Sequence, residues 1–120
     1  MEGSEIYMAN WTEVTTLEQW NEIFDGSAEK PFVMLKHSTT CPVSASALEE
    51  YDEYLGKNPN EKVNYYLVKV IESRPVSNKI AEDVGVKHAS PQIIYVKDKF
   101  AEWNTSHWSV TSKHISAVLD

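Results

Sequence analysis

Cysteine is almost missing from this chain: Cys41 is the only one in 120 residues. A single thiol excludes an internal disulfide and any metal site built from several thiolates. Positive charge is scarce as well. Eleven basic against eighteen acidic side chains leave a net charge of −7, so a surface for the phosphate backbone of nucleic acid is not expected. No apolar run approaches the roughly 20 residues of a membrane span. The opening Met1-Glu2-Gly3-Ser4-Glu5 lacks the basic and then apolar order of a signal peptide. These absences predict a cytoplasmic protein with neither a nucleic-acid nor a membrane partner. Internal repeats, low-complexity stretches and linkers are absent too.

What is present suits one globular domain. Hydrophobic residues make up 42% and charged residues 24%, enough to bury a core without disulfide or metal staples. We expect that domain over residues 11–120, with residues 1–10 as an extension or a short edge strand. Thr15 or Thr16 caps a first helix, with Glu18 or Gln19 as its reciprocal capping-box partner. Leu17, Trp20, Ile23 and Phe24 share one face at helical spacing, and Asp25-Gly26-Ser27 ends the run. Phe32-Val33-Met34-Leu35 reads as a strand buried on both faces. After the polar loop His37-Ser38-Thr39-Thr40, Cys41-Pro42 opens a second helix, with Pro42 in the first turn, where its missing N–H is no loss. Its inner stripe is Val43, Ala47, Leu48, Tyr51, Tyr54 and Leu55.

Val63 to Ile71 reads as a strand, Ser77 to Val84 as a short helix ended by Gly85, and Gln92–Val96 with Phe100–Thr105 as a hairpin around Asp98-Lys99. Thr111 or Ser112 caps a last helix that turns Ile115, Val118 and Leu119 inward. Helices alternating with strands imply parallel pairs with right-handed crossovers, and the hairpin adds an antiparallel edge. The predicted fold is therefore α/β: a single thioredoxin-like domain with a central mixed sheet and about four helices. Trp20 belongs to the core, whereas Trp11, Trp103 and Trp108 are expected to cover the sheet. The run Glu49-Glu50-Tyr51-Asp52-Glu53 reads as a solvated helix face.

Chemistry converges on Cys41. It lies between a buried strand and a helix start, where unpaired N–H groups and the helix dipole favour an anion. A thiolate is such an anion, and this placement lowers a cysteine pKa. Ser44 stands one turn along, where a dithiol oxidoreductase keeps its resolving cysteine. A hydroxyl cannot close a disulfide, so Cys41-Pro42-Val43-Ser44 works only as a monothiol. Ser44 is either a hydrogen-bond donor to the thiolate or simply a small residue suited to a helix start.

Ser90-Pro91-Gln92 is a second signal. A proline opening the strand after a helix and short loop is where thioredoxin-like folds place a cis-proline, which exposes strand-edge backbone beside the thiol. A two-residue turn at Asp98-Lys99 puts Ser90 opposite His107 and Pro91 opposite Ser106, at the active-site end. The strand ending at Ile71 delivers Glu72, Ser73 and Arg74 to that end. His37, four residues before Cys41, and His107 are candidate modulators of the thiol near neutral pH, against an ordinary structural role for each. His88 and His114 read as surface residues. Arg74 either clamps a carboxylate through its planar fork or forms an ordinary surface salt bridge.

Lys36-His37-Ser38-Thr39-Thr40-Cys41-Pro42-Val43-Ser44, then Arg74-Pro75-Val76-Ser77-Asn78, then His88-Ala89-Ser90-Pro91-Gln92 form a specific set in order. With them the chain resembles the monothiol bacilliredoxin family (YtxJ-type, bacillithiol system proteins) from about Trp11 onward. The resemblance implies thiol–disulfide exchange with bacillithiol, a small thiol carrying glucosamine and malate, as co-substrate, and no tightly bound cofactor or metal. It implies Cys41 as nucleophile and Pro91 with its neighbours as the substrate-facing loop. Thr39, Thr40, Pro42, Ser44, Ser90, Pro91, Arg74 and His107 are the substrate-binding candidates. Arg74, Lys36 and His107 are the groups expected to hold the malate carboxylates, and S-bacillithiolated proteins are the expected partners. Three other readings compete: a dimer bridging an iron–sulfur cluster through one cysteine per subunit, a 1-Cys peroxidase, since Ser38-x-x-Cys41 resembles a peroxide-site loop, and a non-catalytic interaction domain.

Overall fold

A computed structural model describes residues 11–120, so the reading of residues 1–10 lies outside the described residues. An edge strand does occur, at Thr12–Glu13 (β1), inside the segment assigned to the domain. The capping box forms on Thr16 and Gln19, each side chain bonding the other's backbone N–H, and opens α1, Leu17–Gly26. Trp20 is fully buried, while Leu17 is exposed, contrary to the helical-face reading. The apolar face closes on Trp20, Ile23 and Phe24 without it.

β2, Phe32–His37, is buried along its whole length, two residues beyond the expected Leu35. α2 follows at Pro42–Leu55 and β3 at Asn64–Lys69. α3 spans Arg74–Val84 and so begins three residues before the expected Ser77. Pro75 does not delay it, because a first-turn residue has no use for an N–H. Gly85 closes α3 with φ +70°, a left-handed turn that favours glycine. β4, Gln92–Lys97, and β5, Phe100–Ser106, form the hairpin, a 3-10 turn follows at His107–Ser109, and α4 covers Ser112–Leu119 behind the Thr111 cap.

The five strands order as β1-β3-β2-β4-β5. β1, β3 and β2 run parallel, as the alternation rule requires. β4 departs from it and runs antiparallel to β2, with Lys36 facing Gln92 and Phe32 facing Val96. The cause lies in residues 85–91. α3 carries the chain about 16 Å away from the site end. The extended return through Val86, Lys87, His88 and Ala89 can bring it back over a similar length before β4 starts. β4 therefore begins, not ends, beside Cys41.

The sheet separates two cores. One packs Val33, Leu35, Tyr51, Tyr65, Ile93 and Ile115 under α2 and α4; the other packs Met34, Trp20, Val68, Ile80 and Ile94 under α1 and α3. Side chains alternate across a strand, so Lys36 shares a face with Met34 and His37 shares one with Leu35. Trp11 and Trp103 pack against the first core as expected. Trp108 does not, and is 68% exposed, because the 3-10 turn carries it off the end of the sheet. In the acidic run, Asp52 accepts the Trp11 indole N–H at 2.9 Å and Glu50 accepts the Ser112 N–H at 2.7 Å. That face therefore also ties α2 to its neighbours.

The hairpin register begins as expected, with Lys97 facing Phe100 and Val96 facing Ala101. It then slips by one at a bulge, so that Tyr95 faces Trp103 and Gln92 faces Ser106. An extra residue in one strand displaces every later pair. Pro91 consequently stands opposite His107, not Ser106, and the His107 N–H donates to the Pro91 carbonyl at 2.8 Å.

Candidate active site

Cys41 is the N-cap residue of α2, with extended backbone at φ −103° and ψ 124°. Its N–H donates to the Ser38 carbonyl at 3.3 Å, and its own carbonyl accepts the first helical bond from Ala45 at 3.0 Å. This tight turn presents a half-exposed thiol at the positive end of the helix. The neutral thiol makes no short cap hydrogen bond. The backbone amides of Ser44 and then Val43 nevertheless hold the Cys41 pKa below its ordinary value, and the Ser44 hydroxyl adds to them against partial desolvation. Neither His37 nor His107 is among the groups acting on the thiol, so the modulation expected of histidine falls to the helix start.

Ser44 is completely buried, and its Oγ accepts the Ser38 N–H at 3.2 Å. An oxygen occupied as acceptor by the loop keeps its own proton for the Cys41 sulfur. Of the two readings of Ser44, the hydrogen-bonding one matches this geometry. His37 is 8% exposed, its Nδ1 has no partner, and burial is the main cause holding its pKa below the ordinary histidine value. It is therefore a largely neutral ring at pH 7, and its carbonyl accepts the Val70 N–H at 2.9 Å, tying β2 to the end of β3.

The loop before the thiol is braced from the turn between β3 and α3: Thr39 Oγ1 donates to Glu72 Oε2 at 3.1 Å, and Thr40 is exposed beside it. On the far side the Ser90–Pro91 bond is cis, Pro91 is buried, and Ser90 Oγ is buried without a partner. Arg74 and His107 are exposed at the same end of the sheet. His107 takes φ +58°, an uncommon conformation for a non-glycine residue. It lets the chain turn off β5 while the His107 N–H stays on Pro91. The topology thus gathers Thr39, Thr40, Cys41, Pro42, Ser44, Arg74, Ser90, Pro91 and His107 at one end, and leaves His114 away, its ring on the Ser109 carbonyl at 2.7 Å.

Lys36 does not stand where a surface carboxylate clamp would. It is fully buried, with Nζ 3.1 Å from His88 Nδ1, and burial lowers its pKa to about 8. His88, read as a plain surface residue, is exposed but engaged, and burial together with Lys36 and Arg74 lowers its pKa. The sequence held no signal for this pair, because β2 is buried on both faces and alternation alone does not set Lys36 apart from a solvated strand end. Among the described residues no three His, Cys, Asp or Glu side chains gather as a metal site, and no helix is long and apolar enough to cross a membrane.

A thioredoxin fold with one thiol at the α2 start defines the class as a thiol–disulfide oxidoreductase. A solved structure described as having a thioredoxin fold is 26% identical, with a TM-score of 0.80, over 92% of this chain and 95% of that one. Thioredoxin from Malassezia sympodialis superimposes with a TM-score of 0.71 at 20% identity, over 92% of this chain and 89% of that one. Mitochondrial thioredoxin 3 from Saccharomyces cerevisiae does so at 0.69 and 16%, over 95% and 96%. The model of the monothiol bacilliredoxin family, BrxC, matches residues 12–115, and the chain belongs to that family.

Proposed function

We propose that the protein removes bacillithiol from protein–bacillithiol mixed disulfides in the cytoplasm, with Cys41 as the nucleophile. The observation that carries this reading is the pairing of a thiolate-favouring helix start with a hydroxyl, Ser44, at the resolving position. The Cys41 thiolate attacks the bacillithiol sulfur of the mixed disulfide, that S–S bond breaks, and the client leaves as its thiolate. A Cys41–bacillithiol disulfide remains. With no second cysteine, an external bacillithiol thiolate must attack that adduct, giving bacillithiol disulfide and restoring Cys41. Exchange rate depends on thiolate fraction and nucleophilicity together, so a moderately lowered pKa serves both.

Thr39, Thr40 and Pro42 form the wall around the thiol, and Ser90 with Pro91 forms the facing loop. His107 acts through its backbone hold on Pro91, and Arg74 takes substrate carboxylates. Bacillithiol is a co-substrate in this scheme, and S-bacillithiolated proteins are the partners. Replacing Cys41 by Ser is expected to abolish release of bacillithiol from a model client while circular dichroism stays native. Retained release by Cys41→Ser would overturn the scheme.

A further inference from the structure

We propose that Lys36 and His88 form a tether that positions the Pro91 loop for exchange: the buried ammonium donates to the exposed ring and so fixes where the strand edge facing Cys41 meets a client disulfide. The proposal rests on the exchange reading above and adds to it a pair of positioning residues.

The return from α3 to β4 has little of its own to hold it. Among the described residues, Val86 to Ser90 make no backbone–backbone hydrogen bond. Val86 packs against the core under α1 and α3, and Pro91 is buried with its carbonyl on the His107 N–H at 2.8 Å. Between those two ends the loop is gripped from one cross-strand pair, Lys36 of β2 and Gln92 of β4. Gln92 Nε2 donates to the Lys87 carbonyl at 3.0 Å, and Lys36 Nζ lies 3.1 Å from His88 Nδ1. A segment with few bonds of its own opens locally at low cost, so these two contacts decide how firmly Ser90 and Pro91 are held.

The chemistry of the tether is one-sided. Lys36 has no exposed surface, and among the described residues no acidic group pairs with it. A buried cation is costly unless a polar group compensates it, and its hydrogen-bond partner here is the His88 ring. An ammonium has only donors, so Nδ1 accepts and the imidazole proton sits on Nε2. That acceptor exists only while the ring is neutral. The charges acting on His88 are Lys36 of β2 and Arg74 of α3, both positive, and together with burial they favour the neutral ring. Protonation would fill Nδ1 and set two like charges against each other, so acid parts the tether.

The test compares two reactions of Cys41 in the intact protein: single-turnover exchange with a bacillithiolated client, which uses the loop, and alkylation by iodoacetamide, which uses only the thiolate. Lys36→Met and His88→Ala should each slow exchange on the order of tenfold, as a misplaced positioning contact does, with alkylation as in wild type. Lys36→Met should do so while melting higher in urea than wild type, which a loss of folding would not produce. His88→Asn keeps an acceptor oxygen near the place of Nδ1 and takes up no proton, so it should restore exchange at neutral pH. The ratio of exchange to alkylation cancels the thiolate fraction. It should fall as wild type is acidified through the histidine range and stay level in His88→Asn. A ratio unchanged by Lys36→Met and His88→Ala, a ratio flat with acid in wild type, or His88→Asn as slow as His88→Ala would overturn the tether. Amide hydrogen exchange at His107 reads the hold on Pro91 with no client present, and its protection should drop in Lys36→Met and His88→Ala. Unchanged protection would reject the tether even if exchange slows. Lost protection in the variants, with wild type itself inert toward the client, would reject the exchange reading and leave the hold on the loop standing.

Discussion

Ser44→Ala separates the two tasks of one buried hydroxyl. Its oxygen accepts the Ser38 N–H at 3.2 Å while its proton serves the Cys41 sulfur. Truncation leaves the Ser38 amide without its acceptor in a half-buried loop, which costs about 1–2 kcal/mol. For a domain of this size that is roughly 3–10 °C in Tm. The thiolate loses its side-chain donor but keeps the amides of Ser44 and Val43, so the Cys41 pKa should rise yet stay below an ordinary cysteine's. Because folding depresses that pKa, thiolate-linked stability is present above the unfolded-state pKa and is lost as pH falls through the folded one. In Ser44→Ala the lower end of that window moves up. Thiolate absorbance against pH, with Cys41→Ser as blank, reads the first effect, and urea melts read the second. An unchanged Cys41 pKa would refute the hydroxyl's part in holding the thiolate. An unchanged stability would refute its bond to Ser38.

Lys36→Met should raise stability at pH 7 by about 1–2 kcal/mol, since it removes a buried cation at little change in volume. In wild type the folded-state pKa of about 8 lies below the ordinary 10.5. The unfolded chain therefore holds more protons between those values, and stability climbs with pH across that interval. Urea melts at pH 7 and pH 10 should show this climb in wild type and not in the variant; parallel curves would contradict it. Thr16→Ala removes the capping box of α1 and should cost about 1 kcal/mol, measured in the same melts with exchange activity retained.

Where function-bearing residues followed local rules, they could be read from the chain. Thr16, Pro42 and Thr111 announce helix starts through their own chemistry, and the Phe32–Leu35 run announces a buried central strand, which is why the thiol's position at a strand-to-helix turn was legible. The hairpin turn at Asp98-Lys99 was legible too, although both residues take positive φ. It is held from outside, by Ser27, whose carbonyl and hydroxyl accept the Asp98 and Lys99 N–H groups at 2.8 Å. Features set by distant parts of the chain were not legible. The bulge that moves Pro91 onto His107 leaves no local signature at Glu102. The start of β4 beside the thiol was legible from Ser90-Pro91, but its antiparallel pairing with β2 contradicts the alternation rule and depends on how far residues 85–91 travel back. Burial of Lys36 becomes plain only once the face of β2 that meets α3 is known, since a lysine at a strand end otherwise reads as solvated.

The central claim is that Cys41 exchanges with a small-thiol adduct on a client protein and prefers bacillithiol. The direct measurement incubates reduced protein in parallel with a bacillithiolated and a glutathionylated model client and reads the mass of both partners. The account predicts transfer of bacillithiol to Cys41, an unmodified client, and little transfer from glutathione. No transfer from either client, with Cys41 still open to alkylation, would contradict it.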